Sequence, residues 1–352
     1  MRLLPLPLTA LLTICALAAA ALTGCGDNST TTGAAATGAA PAAGAKTLRI
    51  GVVPKATSSP YWNIVHAGAV KAANELQSSQ PVELLYRGAL DETQSDKEIA
   101  IVEDMINQQV DAIVLAPNNA DALAKYVDLA ATKKIPVVII DSAVNTQKYS
   151  AFVATDNKKG GQMGGEELAK RLDHKGKVIM MRYLEGSAST HDREEGALES
   201  LKKDAGITIV SADKYGGATD DACQKSAENL LAAYKNADGT LSIDGIFCPN
   251  LTTTFGMLKA VQNTKSAGKV KFVGFDSSEA VITAMRAGTI DAVVVQDPLN
   301  MGYLGVKTAV AIVKGEKYDR TVDTGAHLIT KETMDSPETK DILDPPVSKY
   351  IK

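Results

Sequence analysis

From residue 48 to residue 313 the chain alternates between short apolar runs rich in Val and Ile and longer segments whose apolar residues recur at helical spacing. That alternation limits the fold more than any other feature. The runs at 48–53, 82–86, 112–115, 137–140, 151–154, 178–181, 207–210, 243–248, 270–273 and 292–295 read as strands, most of them apolar enough to be covered on both faces. Segments 61–77, 98–107, 120–132, 160–171, 194–203, 223–234, 252–261, 279–285 and 302–313 read as helices. A strand, a helix and another strand in repeated order require parallel pairing with helices on both faces of the sheet. This many strands fit two sheets better than one. The chain beyond residue 46 is long enough for two domains of ordinary size. The tail from about residue 330, with Pro337, Pro345 and Pro346, is expected to wrap the surface.

The first run, 48–53, ends at Pro54, which cannot continue a central ladder. In an open α/β sheet ligands sit beyond the carboxyl ends of the strands, so the loop 55–62 should open onto a site. It holds Lys55, Tyr61 and Trp62, the chain's only Trp. The alternative is that both aromatics begin the next helix and pack on the sheet.

Ahead of this strand, Met1-Arg2 and the apolar run 3–22 have the form of a secretory signal. Leu22-Thr23-Gly24-Cys25 resembles the bacterial lipoprotein signal, which implies a signal peptide over 1–24 and a lipid on Cys25; the alternative is an uncleaved membrane anchor. Residues 25–46 are mostly Thr, Ala, Gly and Ser with one Pro, the composition of a flexible tether. Either way the body is exported to the cell envelope, on its periplasmic or extracytoplasmic face. With Cys15 in the signal and Cys25 lipidated, Cys223 and Cys248 remain, as a disulfide or as two buried thiols.

The net charge of −4 is spread among interspersed acids and bases, with no basic stripe for nucleic acid. There is no G-x-G-x-x-G, G-x4-G-K-[ST], G-x-S-x-G or H-E-x-x-H. The cluster Gly160-Gly161-Gln162-Met163-Gly164-Gly165 has the wrong spacing for pyrophosphate and suits close helix approach. His66, His174, His191 and His327 are scattered. Neither a catalytic constellation, a metal site nor a cofactor is expected.

Polar, planar side chains recur just past the strands: Asp141-Ser142, Asp192-Arg193, Asn250, Asp276 and Gln296. Any one could be a turn or a helix cap; Asp276 ahead of Ser277-Ser278-Glu279 could cap a helix. Together they would line one crevice. Asp, Asn, Gln and Arg offer paired donors or acceptors for adjacent hydroxyls, and Tyr61 and Trp62 could cover the C–H face of a sugar. Lys55 and Arg193 offset Asp141 and Asp276, which favours an uncharged polyol over a strongly anionic ligand.

Residues 48–69, Pro136 to Asp141, Thr155-Asp156-Asn157 with Gly160-Gly161, Arg193 to Gly196, Phe247 to Asn250, Val273 to Asp276 and Val295-Gln296 resemble the type I periplasmic sugar-binding proteins of ABC importers, ribose-binding proteins among them. The resemblance implies two Rossmann-like lobes joined by a three-stranded hinge near 152–156, 296–297 and 325–328. One lobe would comprise 47–153 plus 297–325, the other 154–296 plus 326–352. The sugar contacts it implies fall on Tyr61, Trp62, Asp141, Arg193, Asn250, Asp276 and Gln296. Lys55 and Ser142 depart from the ribose pattern. Pro54-Lys55, Asp141-Ser142, Asp192 and Pro249 look instead like the receptors for autoinducer-2 and rhamnose. Two functions follow: a lipid-anchored monomeric receptor, not an enzyme, that hands a neutral sugar or small polyol to an ABC permease; or a signal receptor serving a sensor kinase or chemoreceptor.

Overall fold

Buried Val and Ile runs set the architecture of the computed structural model, which describes residues 46–352. The expected signal peptide, lipidation at Cys25 and tether as far as residue 45 lie outside the described residues. In chain order the strands are β1 (Leu48–Val53), β2 (Val82–Tyr86), β3 (Ala112–Leu115), β4 (Val137–Ile140), β5 (Ala151–Ala154), β6 (Lys175–Arg182), β7 (Gly206–Tyr215), β8 (Gly245–Phe247), β9 (Lys271–Phe275), β10 (Ala292–Gln296), β11 (Thr321–Asp323) and β12 (Ala326–Thr330). The helices are α1 (Pro60–Leu76), α2 (Ser95–Asn107), α3 (Ala124–Thr132), α4 (Asn157–Arg171), α5 (Ala188–Leu201), α6 (Asp220–Ala232), α7 (Leu251–Asn263), α8 (Glu279–Arg286), α9 (Pro298–Val313) and α10 (Pro337–Leu343).

The strands form two sheets, and the molecule has two α/β lobes. The first sheet, ordered β11-β5-β4-β3-β1-β2, is parallel throughout. The second, β12-β10-β9-β8-β6-β7, is parallel except for β12, which runs against β10. That exception has a simple cause. β12 follows β11 through a two-residue link between the sheets instead of a crossover helix, so nothing returns the chain to the parallel direction.

Each sheet is buried on both faces. Along β3, Ala112 and Val114 enter one apolar core while Ile113 and Leu115 enter another, the period-two alternation of a doubly covered strand. Each such Val, Ile or Leu contributes about 1.5–3 kcal/mol when removed from water. On one face of the first sheet α9 lies on β3 and β4 and packs along α1.

The chain passes between the sheets at Thr155-Asp156, at Asp297 and at Thr324-Gly325. Two of these crossings are tied together: the Thr155 hydroxyl donates to the Gly325 carbonyl at 3.1 Å, and Asp323 accepts from the backbone N–H groups of Asp156 (3.2 Å) and Gly325 (2.8 Å). Gly325 sits at φ +82°, where its lack of Cβ is required.

The tail leaves the second lobe, lays α10 against β10, and ends in a short 3-10 turn, Val347–Lys349, that packs on α1 of the first lobe. Its last residues thus do not stay with the lobe that β12 enters. The disulfide alternative for Cys223 and Cys248 is not realised. Both are free, buried thiols in an apolar core shared with Met181, whose sulfur lies 3.7 Å from Cys223 Sγ. Burial pushes the Cys223 thiol up to about 12. No described helix is long and apolar enough to cross a membrane.

Candidate functional site

The two lobes bring corresponding strand ends to a common cleft. Asp141 follows the last residue of β4 with φ 62°, and Asp276 follows the last residue of β9 with φ 64°. This left-handed conformation is uncommon outside Gly, although Asp tolerates it better than most residues. Each backbone N–H is pinned to the neighbouring strand, Asp141 to Val153 at 3.3 Å and Asp276 to Val294 at 2.7 Å. Both carboxylates line the cleft. Asp276 does not cap the helix after it; Ser278 does, accepting from the Val281 N–H.

On the first lobe, Asp141 accepts from Lys55 Nζ at 2.7 Å and from the Tyr61 hydroxyl at 3.2 Å. Lys55 Nζ also donates to Ser189 Oγ on the second lobe at 3.1 Å, and Ser189 Oγ lies 3.4 Å from Asp141. Burial would push the Asp141 carboxyl up, but Lys55 and Arg193 outweigh it and hold the group below the usual carboxylate range. The Tyr61 phenol is driven well above its ordinary value, first by burial and then by Asp141 and Asp276. Trp62 stands edge-on to Tyr61, ring centroids 5.1 Å apart, so both aromatics start α1 and also line the cleft.

On the second lobe Arg193 is the centre. Its Nε donates to Asn157 Oδ1 at 2.8 Å, its Nη1 to the Pro249 carbonyl at 3.1 Å, and its guanidinium lies 4.2 Å over the Phe275 ring. Asp276 is 3.8 Å from Nη1 and accepts from Gln296 Nε2 at 2.9 Å. Burial raises the Asp276 carboxyl, and Arg193 and Gln296 offset this only in part. Within this cluster two buried polar atoms have no partner, Arg193 Nη2 and Gln296 Oε1. Such atoms are costly unless something pairs with them.

Arg193 is placed by backbone packing. Gly161 on α4 meets the Arg193 carbonyl so closely that a Cβ there would lie 2.0 Å from the oxygen. Gly161 and Gly165 thus seat α4 on α5, while Gly160 and Gly164 bring it onto Phe275 and Phe247 of the sheet, the close helix approach expected of the cluster.

Lys55, Tyr61, Trp62, Asp141, Arg193, Asn250, Asp276 and Gln296 all line the cleft. Asn250 has a double role, since its side-chain oxygen caps α7 by accepting from Thr253 N–H at 3.1 Å. Ser142 lies behind the lining, buried, its Oγ accepting from Ser189 N–H at 2.9 Å. Asp192 is not in the cleft. It is exposed, because neighbours on a helix point about 100° apart and Arg193 takes the inward direction. Residues not anticipated include Glu92, Tyr183, Ser189, Thr190, Leu251 and Thr252 in the lining and Asn157 behind Arg193.

The lobes touch across the cleft, through the Ser189 contacts and an Ala120 N–H to Gly186 carbonyl bond of 3.0 Å. The cavity left between them is about 30 Å³, space for about two water molecules and too small for a sugar ring. A ligand of that size enters only when the lobes part. A larger depression of about 470 Å³, which includes Asp111, Pro136 and Ser150, lies where β3, β4 and β5 begin, away from the strand ends that carry ligands. Asp111 there is paired with Lys46, and Lys148 with Asp128, so it reads as surface relief.

Two α/β lobes meeting at a polar cleft define the class: a bilobal binding protein of the type I periplasmic fold. Residues 50–317 match the family model described as a periplasmic binding protein domain, and the chain belongs to that family. It is 29% identical over 275 residues to the ribose import binding protein RbsB of Haemophilus influenzae, spanning 78% of this chain and 88% of that one. Among solved structures it is similar to a carbohydrate transporter solute binding protein from Agrobacterium radiobacter in complex with D-arabinose (34% identity, TM-score 0.79, 85% of this chain and 99% of that one). It is also similar to an ABC transporter solute binding protein from Agrobacterium vitis with bound D-fucose (32% identity, TM-score 0.79, 84% and 99%).

Proposed function

We propose that this protein is the sugar-binding component of an ABC importer: it closes its two lobes on one neutral sugar or small polyol outside the cytoplasm and delivers it to a membrane permease. The observation that carries this reading is the pair of unpartnered, buried atoms Arg193 Nη2 and Gln296 Oε1 beside Asp276, facing Asp141 and Lys55 of the other lobe. One donor and one acceptor are thereby held ready for adjacent hydroxyls. Asp141 and Asp276 accept, while Arg193, Asn250 and Lys55 donate. Closure excludes water, so a sugar that leaves one of these groups unpaired loses about 1–3 kcal/mol, a discrimination of roughly ten- to a hundredfold. Ser189 holds Lys55 and Asp141 when the lobes are together, and a ligand hydroxyl replaces it there. The relatives' names supply ribose, D-arabinose and D-fucose as starting candidates. Cys25 anchors the protein to the membrane by its lipid in this reading.

A thermal-shift screen with D-ribose, D-arabinose, D-fucose, D-allose and xylitol tests the function. Binding to the folded state raises the unfolding midpoint in proportion to the logarithm of ligand concentration. At least one neutral sugar does so under this account. No shift from any sugar or polyol would refute it.

A further inference from the structure

Glu92 lines the cleft without a cation of its own. The two basic groups there are engaged elsewhere, Lys55 with Asp141 at 2.7 Å and Arg193 with Asp276 at 3.8 Å. Glu92 stands in the loop between β2 and α2 of the first lobe, and its Oε1 accepts from Trp62 Nε1 at 3.1 Å. The Tyr183 hydroxyl faces the same carboxylate from the loop that follows β6 in the second lobe. Two rigid aromatic donors on opposite lobes thus fix its direction when the cleft is closed. An ionised carboxylate has about four acceptor positions, so two donors leave roughly half its capacity for a ligand.

The charges around it are Lys55 and Asp141 within the cleft and buried Glu98 behind, on α2. Counting the cleft alone, Glu92, Asp141 and Asp276 face Lys55 and Arg193, three carboxylates against two cations. Burial raises the Glu92 carboxyl, while Lys55 and the bond from Trp62 act the other way and favour its ionised form.

We propose that Glu92 is a specificity-determining residue: it accepts a hydroxyl at the end of the ligand lying along Trp62, and its uncompensated charge excludes sugar acids and sugar phosphates from a cleft that admits the corresponding neutral sugar. The inference rests on the reading of the cleft as a sugar site. It adds which residue rejects anions and why Trp62 presents its N–H to a carboxylate instead of to the ligand.

The test compares the wild type with Glu92→Gln, which keeps shape and removes charge. The probes are the neutral sugar giving the largest thermal shift, its aldonate and its terminal phosphate ester, with dissociation constants from calorimetry. Glu92→Gln is expected to weaken the neutral sugar about tenfold, the loss of one charged hydrogen bond. It is also expected to narrow the neutral-to-anion affinity ratio by at least about tenfold, with the unliganded melting point close to wild type. An unchanged ratio overturns the proposal, whether or not overall affinity falls. Tyr183→Phe keeps the charge and loosens its support, so it should weaken the sugar and leave the ratio in place. A ratio that narrows equally in Tyr183→Phe would assign the selection to packing and overturn the proposal as well. If no neutral sugar shifts the wild type, the site itself is refuted; if one does and Glu92→Gln behaves as wild type, only the role of Glu92 falls.

Discussion

Replacing Gly161 by Ala isolates how the fold positions the site, because the altered atom lies outside the cleft. The new Cβ would stand 2.0 Å from the Arg193 carbonyl oxygen and 2.6 Å from its Cα. Ordinary contact begins near 3.4 Å, so α4 and α5 must separate by about 1.4 Å. Two effects compete. Ala favours the helix over Gly by about 1 kcal/mol. Overpacking against backbone, which cannot rotate aside, costs about 1–3 kcal/mol. The second wins, and the variant should be modestly less stable. The functional effect is larger. A shift of that size breaks the 2.8 Å bond to Asn157 and the 3.1 Å bond to the Pro249 carbonyl that aim the guanidinium. Each hydrogen bond from a charged group is worth about 1.5–3 kcal/mol, so sugar affinity should fall roughly ten- to a hundredfold. Calorimetric titration with the best neutral sugar measures this. Gly165→Ala is the control: its Cβ would meet Ala197, one turn from Arg193, and should lower stability with a smaller loss of affinity. Affinity in Gly161→Ala within about twofold of wild type would refute the idea that this helix contact sets the arginine.

Asp141→Asn and Lys55→Met should each destabilise the protein by about 3 kcal/mol by stranding a buried charge, and the double variant by much less than the sum; denaturant unfolding of all four proteins checks the coupling. The Asp141 carboxyl is held below its unfolded value, so its stabilisation is present above about pH 4 and lost as pH falls through the folded value. The stability difference between wild type and Asp141→Asn should therefore shrink on acidification, and a difference that grows would contradict the assignment. Alkylation of unfolded, unreduced protein should label both Cys223 and Cys248 in peptide mass spectra; protection of both would mean that they are bonded.

Much of this architecture was legible in the sequence because its strands are buried on both faces. β3 and β4 have the expected bounds, since a continuous run of Val, Ile and Leu between polar turns has few other readings. Helix starts were harder where the first turn faces the cleft. α5 begins at Ala188, six residues before the expected start, because Ser189 and Thr190 face the cleft and present no apolar stripe. The segments β11 and α10 were not read as elements, and β12 only as the hinge strand near 325–328 that the resemblance implied; β11 is short and largely exposed, and β12 draws its pairing from the far lobe. In the site, Asp141 and Asp276 were visible because a strand end announces them. Glu92 was not: it follows an edge strand in a loop with no apolar pattern, and its place depends on Tyr183, which lies far away in the sequence.

A crystal structure of the protein with its preferred neutral sugar tests the account most directly. The sugar should be held at once by Asp141 of one lobe and by Arg193, Asp276 and Gln296 of the other, with Arg193 Nη2 and Gln296 Oε1 each bonded to a ring hydroxyl. A sugar bound outside the cleft, or touching one lobe only, would contradict it.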